Sequence, residues 1–334
     1  MKQKKKTFKT NKNKKKEATE KHVKFKLAGR DFFLIACFVL FTTLLFFYSG
    51  DGVYFKLFAF SNPFENSKTI EKTPNKFIVP YVINTQIIPS ITATSVYVID
   101  LDSATPLYAK DQHARLFPAS TTKIITALTA MKFFKLDKIL TVKRVITEGQ
   151  VAGLVVGERL TFENILYALL VHSGNDAAYV VADNFPGGYD KFIIQMNEVT
   201  KELHMANSRF TNPAGLDATG QYISAFDLSL AARKLLENKE LSRIVSTKSI
   251  TISDVGFTNF HSLTNVNKLL GEIPGLGGLK TGYTENAGEN LVSFYTHGGR
   301  RYVIVILKSE DRFEDTKNII QWIITNVAYK QFVI

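Results

Sequence analysis

Three short strings stand in order along the chain: Ser120-Thr-Thr-Lys123, Ser173-Gly174-Asn175 and Lys280-Thr281-Gly282. The first pairs a serine hydroxyl with a lysine three residues on. A hydroxyl is a poor nucleophile until a neighbouring base takes its proton. On a helix, positions i and i+3 share one face about a turn apart, so Lys123 is placed to be that base. Lysine acts as a base only if its pKa falls toward neutrality, which burial and a second cation both promote. Lys280 is the second cation available. A helix start also points backbone N–H groups at a developing oxyanion. The strings together can attack an acyl group that lies beside a carboxylate. Ser120 is the only serine with lysine at that offset, and Lys-Thr-Gly occurs once.

Each string alone has a plainer reading. A Ser/Thr-rich helix start with an exposed lysine explains the first, and a capped loop explains the second. In the functional reading Ser173 relays protons toward a leaving amine and Asn175 hydrogen-bonds the substrate backbone. His172 has no partner at usable spacing and reads as a packing residue. The glycine-rich stretch before Lys280 suggests a phosphate loop, but that motif needs glycine directly before the lysine, and Leu279 is there. An edge strand fits better. On it Lys280 and Thr281 face a cleft and bind a carboxylate, while Gly282, without a Cβ, lets a substrate run close to the backbone. The conjunction of all three strings favours the chemical reading.

Composition narrows the partners. The net charge of +12 is concentrated in residues 1–31, which hold 13 Lys/Arg against Glu17, Glu20 and Asp31; the rest of the chain is nearly neutral. A basic face for nucleic acid therefore gains no support, and no nucleic-acid partner is expected. The basic tail runs into Phe32–Tyr48, a stretch without a charge. It is short for a ~30 Å bilayer core, with Tyr48, Tyr54 and Phe55 available for the far interface. The tail is expected to stay in the cytoplasm and the remainder to be exported, giving a single-pass protein of the cytoplasmic membrane. No small-x-small cleavage site follows the apolar run, which favours an uncleaved anchor over a cleaved signal peptide. Cys37 is the only cysteine, and histidines 22, 113, 172, 204, 261 and 297 lack ligand spacing. No disulfide, metal or cofactor is expected.

The domains read as a basic tail (1–31), a transmembrane anchor (32–49), a stalk or linker (50–90) and a catalytic domain (91–334). Prolines 63, 74, 80 and 89 break the stalk. Within the domain, Ser95–Asp100 and Pro106–Lys110 read as a strand pair. Helices are predicted over Ser120–Phe134, Thr161–Val171, Asp176–Asn184, Tyr189–Leu203 and Ala225–Leu236. Asn290–Thr296 and Tyr302–Leu307 form a hairpin through Gly298-Gly299, and Glu314–Val327 closes the chain as a helix. Strands at both ends and helices between imply an α/β (α+β) fold, an antiparallel sheet completed by both chain ends against a helical block.

With these residues in hand, the region 91–330 resembles the D-alanyl-D-alanine carboxypeptidases, the low-molecular-weight penicillin-binding proteins of serine peptidase family S11. Pro118-Ala119-Ser120, Phe210-Thr-Asn-Pro-Ala-Gly-Leu216 and Gly277-Gly-Leu-Lys-Thr-Gly-Tyr-Thr284 match that family's blocks. The resemblance implies a β-lactamase/transpeptidase-like fold and an acyl-enzyme at Ser120, with Lys123 as base. Ser173 and Lys280 would assist the leaving group. The N–H groups of Ser120 and Tyr283 would form the oxyanion hole, and Arg312 would help hold the terminal carboxylate. It implies a stem peptide of peptidoglycan ending in D-Ala-D-Ala as substrate, and β-lactams as covalent inhibitors. D,D-endopeptidase, transpeptidase and β-lactamase remain alternatives of the same chemistry, and a non-catalytic peptidoglycan-binding protein is one of another class. Many members continue into a β-rich second domain and a C-terminal amphipathic helix. Neither follows the closing helix here, so attachment is expected from the N-terminal segment. The Glu-x-x-Leu-Asn string of class A β-lactamases is not found.

Overall fold

The computed structural model describes residues 29–47 and 76–333. The basic tail up to residue 28, and the expected stalk over 50–75, lie outside the described residues. The chain divides into two compact units, Met1–Lys72 and Thr73–Ile334.

In the first unit the apolar run is helix α1 (Gly29–Phe47). Phe32, Phe33, Leu34, Ile35, Phe38 and Leu40 are all more than half exposed. Among the described residues no helix is long and apolar enough to cross a membrane. The charged pair Arg30-Asp31 opens α1, so its uncharged part is Phe32–Phe47. At ~1.5 Å per residue that part reaches about 24 Å, short of a ~30 Å hydrocarbon core. The transmembrane helix expected over 32–49 is not borne out by this helix.

The second unit begins earlier than residue 91. Strand β1 (Lys76–Val82) pairs antiparallel with the last strand, β11 (Val327–Val333), from Lys76↔Val333 to Val82↔Val327. Trp322 Nε1 donates to the Ile87 carbonyl at 2.7 Å and fastens the following segment. The expected stalk over 50–90 is corrected accordingly: its last third is part of the folded unit. Pro80 does not prevent this, because a two-stranded ribbon leaves one N–H edge of each strand unpaired.

The main sheet joins both chain ends. β2 (Ser95–Asp100), β3 (Pro106–Lys110), β8 (Leu276–Thr284), β9 (Gly288–His297) and β10 (Arg300–Ser309) lie in the order β3-β2-β10-β9-β8, all antiparallel. β10 is central and covered on both faces, which is why Tyr302–Leu307 is buried throughout and reads as one apolar run. Val303, Val305 and Leu307 pack on the helical block, and Ile304 and Ile306 on the other side with Ile319, Ile320 and Trp322. Those three belong to α8 (Arg312–Asn326), capped by Asp311, whose side chain accepts from the N–H groups of Phe313 and Glu314. The predicted hairpin turn stands: Gly298 and Gly299 both have positive φ.

The helical block holds α2 (Lys123–Met131), α3 (Phe162–Leu170), α4 (Asn175–Asn184), α5 (Gly188–Glu202), α6 (Ala225–Glu237) and α7 (Lys239–Val245). Two small ribbons, β4–β5 (Ile139–Thr141, Arg159–Thr161) and β6–β7 (Ser249–Ser253, Phe260–Thr264), fringe it. Neither ribbon nor α7 was evident in the pattern, because their segments are too short to show a period. The predicted helix over 120–134 starts instead as a 3₁₀ turn, Ala119–Thr122, with Lys123 the first α-helical residue. Every residue of α2 from Lys123 to Ala130 is buried, so this helix runs through the middle of the block.

Deleting residues 76–82 should strip β11 of its partner and expose the Val82–Val327 contact. A variant starting at residue 83 is expected to melt several degrees lower than one starting at 73; equal melting temperatures would mean the ribbon contributes nothing.

Candidate active site

The turn that carries Ser120 is held from three sides. Asn290, fully buried on β9, donates through Nδ2 to the carbonyls of Phe117 and Pro118 (3.0 and 3.1 Å). Its Oδ1 accepts from Lys308 N–H at 2.8 Å, so this side chain also bridges to β10. Leu116 exchanges backbone hydrogen bonds with Ile223 ahead of α6. Ala119 then takes a left-handed φ of 46°, unusual for a residue with a Cβ, which turns Ser120 out of the strand direction. Gly215 (φ 88°) lies against that residue: a Cβ there would sit 1.8 Å from the Ala119 carbonyl oxygen. Gly282 on edge strand β8 also comes near. A Cβ there would lie 3.0 Å from both the Ala119 Cβ and the Ser120 nitrogen. The Ser120 N–H is thereby set against the edge of β8.

Lys123 is 0% exposed, and its Nζ donates to Ser120 Oγ (2.7 Å), Asn175 Oδ1 (2.7 Å) and the Ala214 carbonyl (2.9 Å). Burial lowers its pKa to about 7, with the Asp176 carboxylate pulling the other way. Lys280 is also buried. Its Nζ donates to Ser173 Oγ at 2.8 Å and to the Thr281 carbonyl at 3.0 Å. No carboxylate meets it, and burial drives its pKa well below the ordinary lysine value, with Lys123 and Arg312 pushing the same way. Its nitrogen is thus held by Ser173, and a second basic group, Arg312, lines the cleft. That guanidinium donates through Nη1 to the Gly282 carbonyl at 2.8 Å, and guanidinium stays protonated. Glu289 steadies it, accepting from the Arg312 backbone N–H at 3.0 Å.

All nine predicted residues gather in one place. Ser120, Ser173, Asn175, Thr281, Gly282, Tyr283 and Arg312 line a cleft of about 570 Å³. Lys123 and Lys280 stand buried directly behind two of those residues, Ser120 and Ser173. Tyr283 is exposed at the rim. Gln150, Leu216, Val266 and Glu285 complete the walls. His172, read as a packing residue, contacts the rim through Gln150, with 2.8 Å between their side-chain nitrogens.

Other contributors went unread in the sequence. Asn212 Oδ1 accepts from the N–H groups of Ala214, Gly215 and Leu216 (3.2, 2.7 and 3.1 Å), folding the turn that offers the Ala214 carbonyl to Lys123. The Phe210–Leu216 block contains this residue but does not reveal the turn. Asp176 had read only as the start of a helix.

The chain as a whole has known relatives. The model of the family described as D-alanyl-D-alanine carboxypeptidase, peptidase S11, matches residues 83–311. The chain belongs to this family. It is similar to D-alanyl-D-alanine carboxypeptidase DacF of Bacillus subtilis, 34% identical over 64% of this chain and 57% of that one. It is 31% identical to DacD of Salmonella typhimurium over 73% of this chain and 66% of the relative. The chain thus spans less than two thirds of the length of these two relatives. Among solved structures it resembles the Streptomyces K15 DD-transpeptidase (TM-score 0.67, 30% identity), over 71% of this chain and 98% of that one. A D-alanyl-D-alanine carboxypeptidase from Mycobacterium tuberculosis H37Rv gives the same TM-score at 29% identity, over 72% and 94%. These matches bear out the expected fold class.

Gly215→Ala should be costly on two counts. A left-handed conformation costs an L-residue ~1–2 kcal/mol before any clash. The clash itself falls on the carbonyl preceding Ser120. The variant should unfold at lower temperature and lose most covalent labelling by a fluorescent penicillin; wild-type values in both assays would show that the close approach is dispensable.

Proposed function

We propose that this S11-family protein is a serine D,D-carboxypeptidase that removes the terminal D-Ala from peptidoglycan stem peptides. The observation that carries the reading is the buried Lys123 nitrogen, 2.7 Å from Ser120 Oγ with a pKa near 7. Neutral Lys123 takes the Ser120 proton as the oxygen attacks the carbonyl of the penultimate D-Ala. The N–H groups of Ser120 and Tyr283, on facing sides of the Gly282 approach, receive the oxyanion. Arg312, with Thr281, holds the terminal carboxylate at the end of β8. The proton taken by Lys123 is passed on to the departing D-Ala nitrogen with Ser173, backed by Lys280, as relay, and Asn175 bonds the substrate backbone. Water then hydrolyses the ester. β-Lactams enter the same path and acylate Ser120.

A second acceptor has one observation in its favour: the similar Streptomyces K15 protein is a DD-transpeptidase. Incubating the protein with a pentapeptide stem, with and without glycine as acceptor amine, distinguishes hydrolysis from transfer. Free D-Ala and a tetrapeptide are expected; release of no D-Ala would end the reading. Ser120→Ala should lose penicillin labelling altogether and turnover by several orders of magnitude. Acylation of the wild type should rise with pH through a midpoint near 7 and then level, because the neutral amine accumulates above its pKa. A rate independent of pH between 5 and 9 would count against Lys123 as base.

We also propose that the protein is held at the cytoplasmic membrane through α1, with the catalytic unit outside. The exposed apolar side chains of α1 and the thirteen Lys/Arg before residue 32 support this. A reporter active only in the cytoplasm, fused after Ile334, should stay silent. Activity from it would place the catalytic unit on the wrong side.

A further inference from the structure

Asp176 follows the Ser173-Gly174-Asn175 string, yet its side chain turns away from the cleft and is 97% buried, with 3% exposure. Its carboxylate is used completely. Oδ1 accepts from the N–H groups of Ala152 (3.0 Å) and Ala177 (2.9 Å). Oδ2 accepts from Gly153 (2.9 Å) and Leu154 (3.0 Å). Three successive amides of the 148–154 loop are thereby fastened to the first turn of α4. The same loop holds Asn175. Its Glu148 carbonyl accepts from Asn175 Nδ2 at 2.7 Å, and its Gln150 carbonyl from the Asn175 N–H, also at 2.7 Å. With Nδ2 engaged, Asn175 can offer only Oδ1 to Lys123. Glycines serve this packing: a Cβ on Gly174 would lie 2.6 Å from Asp176 Oδ1, and one on Gly149 2.7 Å from Asn175 Nδ2.

We propose that Asp176 is a positioning residue for the Lys123 base. It clamps the 148–154 loop so that Asn175 presents its oxygen to Lys123. The inference rests on the serine-acylation reading above. The charged groups around Lys123 are few. Asp176 on α4 raises its pKa, Lys280 on β8 repels a second ammonium and is itself opposed by Arg312 on α8, and Glu148 lies at the open rim. Among these, Asp176 is the buried anion. Without it, Lys123 would hold its proton less tightly and would become neutral at lower pH.

The test compares Asp176→Asn and Asp176→Glu with the wild type, using the pH dependence of acylation by a fluorescent penicillin and amide hydrogen exchange at residues 152–154. In Asp176→Asn an amide nitrogen must face N–H groups that now donate to a carboxylate, and the charge is gone. Its midpoint should fall by at least ~0.5 pH unit and its plateau rate by about tenfold or more, with faster exchange in the loop. Asp176→Glu keeps the charge, so its midpoint should stay within ~0.2 pH unit of the wild type even if its rate drops. An Asp176→Asn variant with the wild-type midpoint, or with unchanged exchange at 152–154, overturns the proposal. If that variant fails to fold, a midpoint in Asp176→Glu displaced by more than ~0.5 pH unit does so instead. A wild type that forms no adduct on Ser120 would refute the acylation reading itself, and the exchange data would still report on the clamp.

Discussion

An ammonium group buried among neutral oxygens organises this protein. Lys123 Nζ has no exposed surface and no carboxylate in hydrogen-bond contact; its bonds go to Ser120 Oγ, Asn175 Oδ1 and the Ala214 carbonyl. Taking a charge out of water is expensive, and the protein lowers that cost by letting the pKa fall to about 7. The same concession turns a lysine into a usable base. Each of the three oxygens comes from a different stretch of chain: the turn that carries Ser120, the start of α4 and the Asn212 turn. The helical block must close correctly around one nitrogen before any of the chemistry is available.

That closure is achieved by packing backbone against backbone. Ala119 in a left-handed conformation, Gly215 against its carbonyl and Gly282 against the Ser120 nitrogen leave no room for extra atoms. Ser173 is likewise left-handed, with φ of 65°. Strained residues persist only where the surroundings hold them, and here they flank the proposed nucleophile and proton relay. The rigid support is the sheet: Asn290 ties β9 to the chain just before Ser120, and the Arg312–Gly282 bond ties α8 to β8.

Electrostatics divides the cleft into two parts. Behind it stand two lysines whose pKa values burial lowers, that of Lys280 further through the charges of Lys123 and Arg312. At its end stands Arg312, which keeps its charge. A substrate with a terminal carboxylate would meet a permanent cation at one end and the Lys123 nitrogen, with its pKa of about 7, in the middle. This order suits an acyl transfer next to a carboxylate better than it suits binding alone.

The nucleophile, the base and their partners were legible in the sequence because helical spacing puts Ser120 and Lys123 on one face, and because the three strings are short and local. So were the two chain-end strand groups and the glycine hairpin, whose patterns lie within a few residues. The uncharged run was legible too, although the described helix over it is shorter than a bilayer core. Long-range pairing was not legible, since nothing in Lys76–Val82 or Val327–Val333 taken singly says that each completes the other. The lowered pKa of Lys280 was not legible for a related reason. Residue type offers a cation, and only the surroundings decide whether it keeps its proton. Asp176 shows the same limit, because three loop amides meet its carboxylate only after the loop has folded over it. Local pattern determined which groups this protein possesses; the tertiary structure decided their burial and neighbours, and so their acidity.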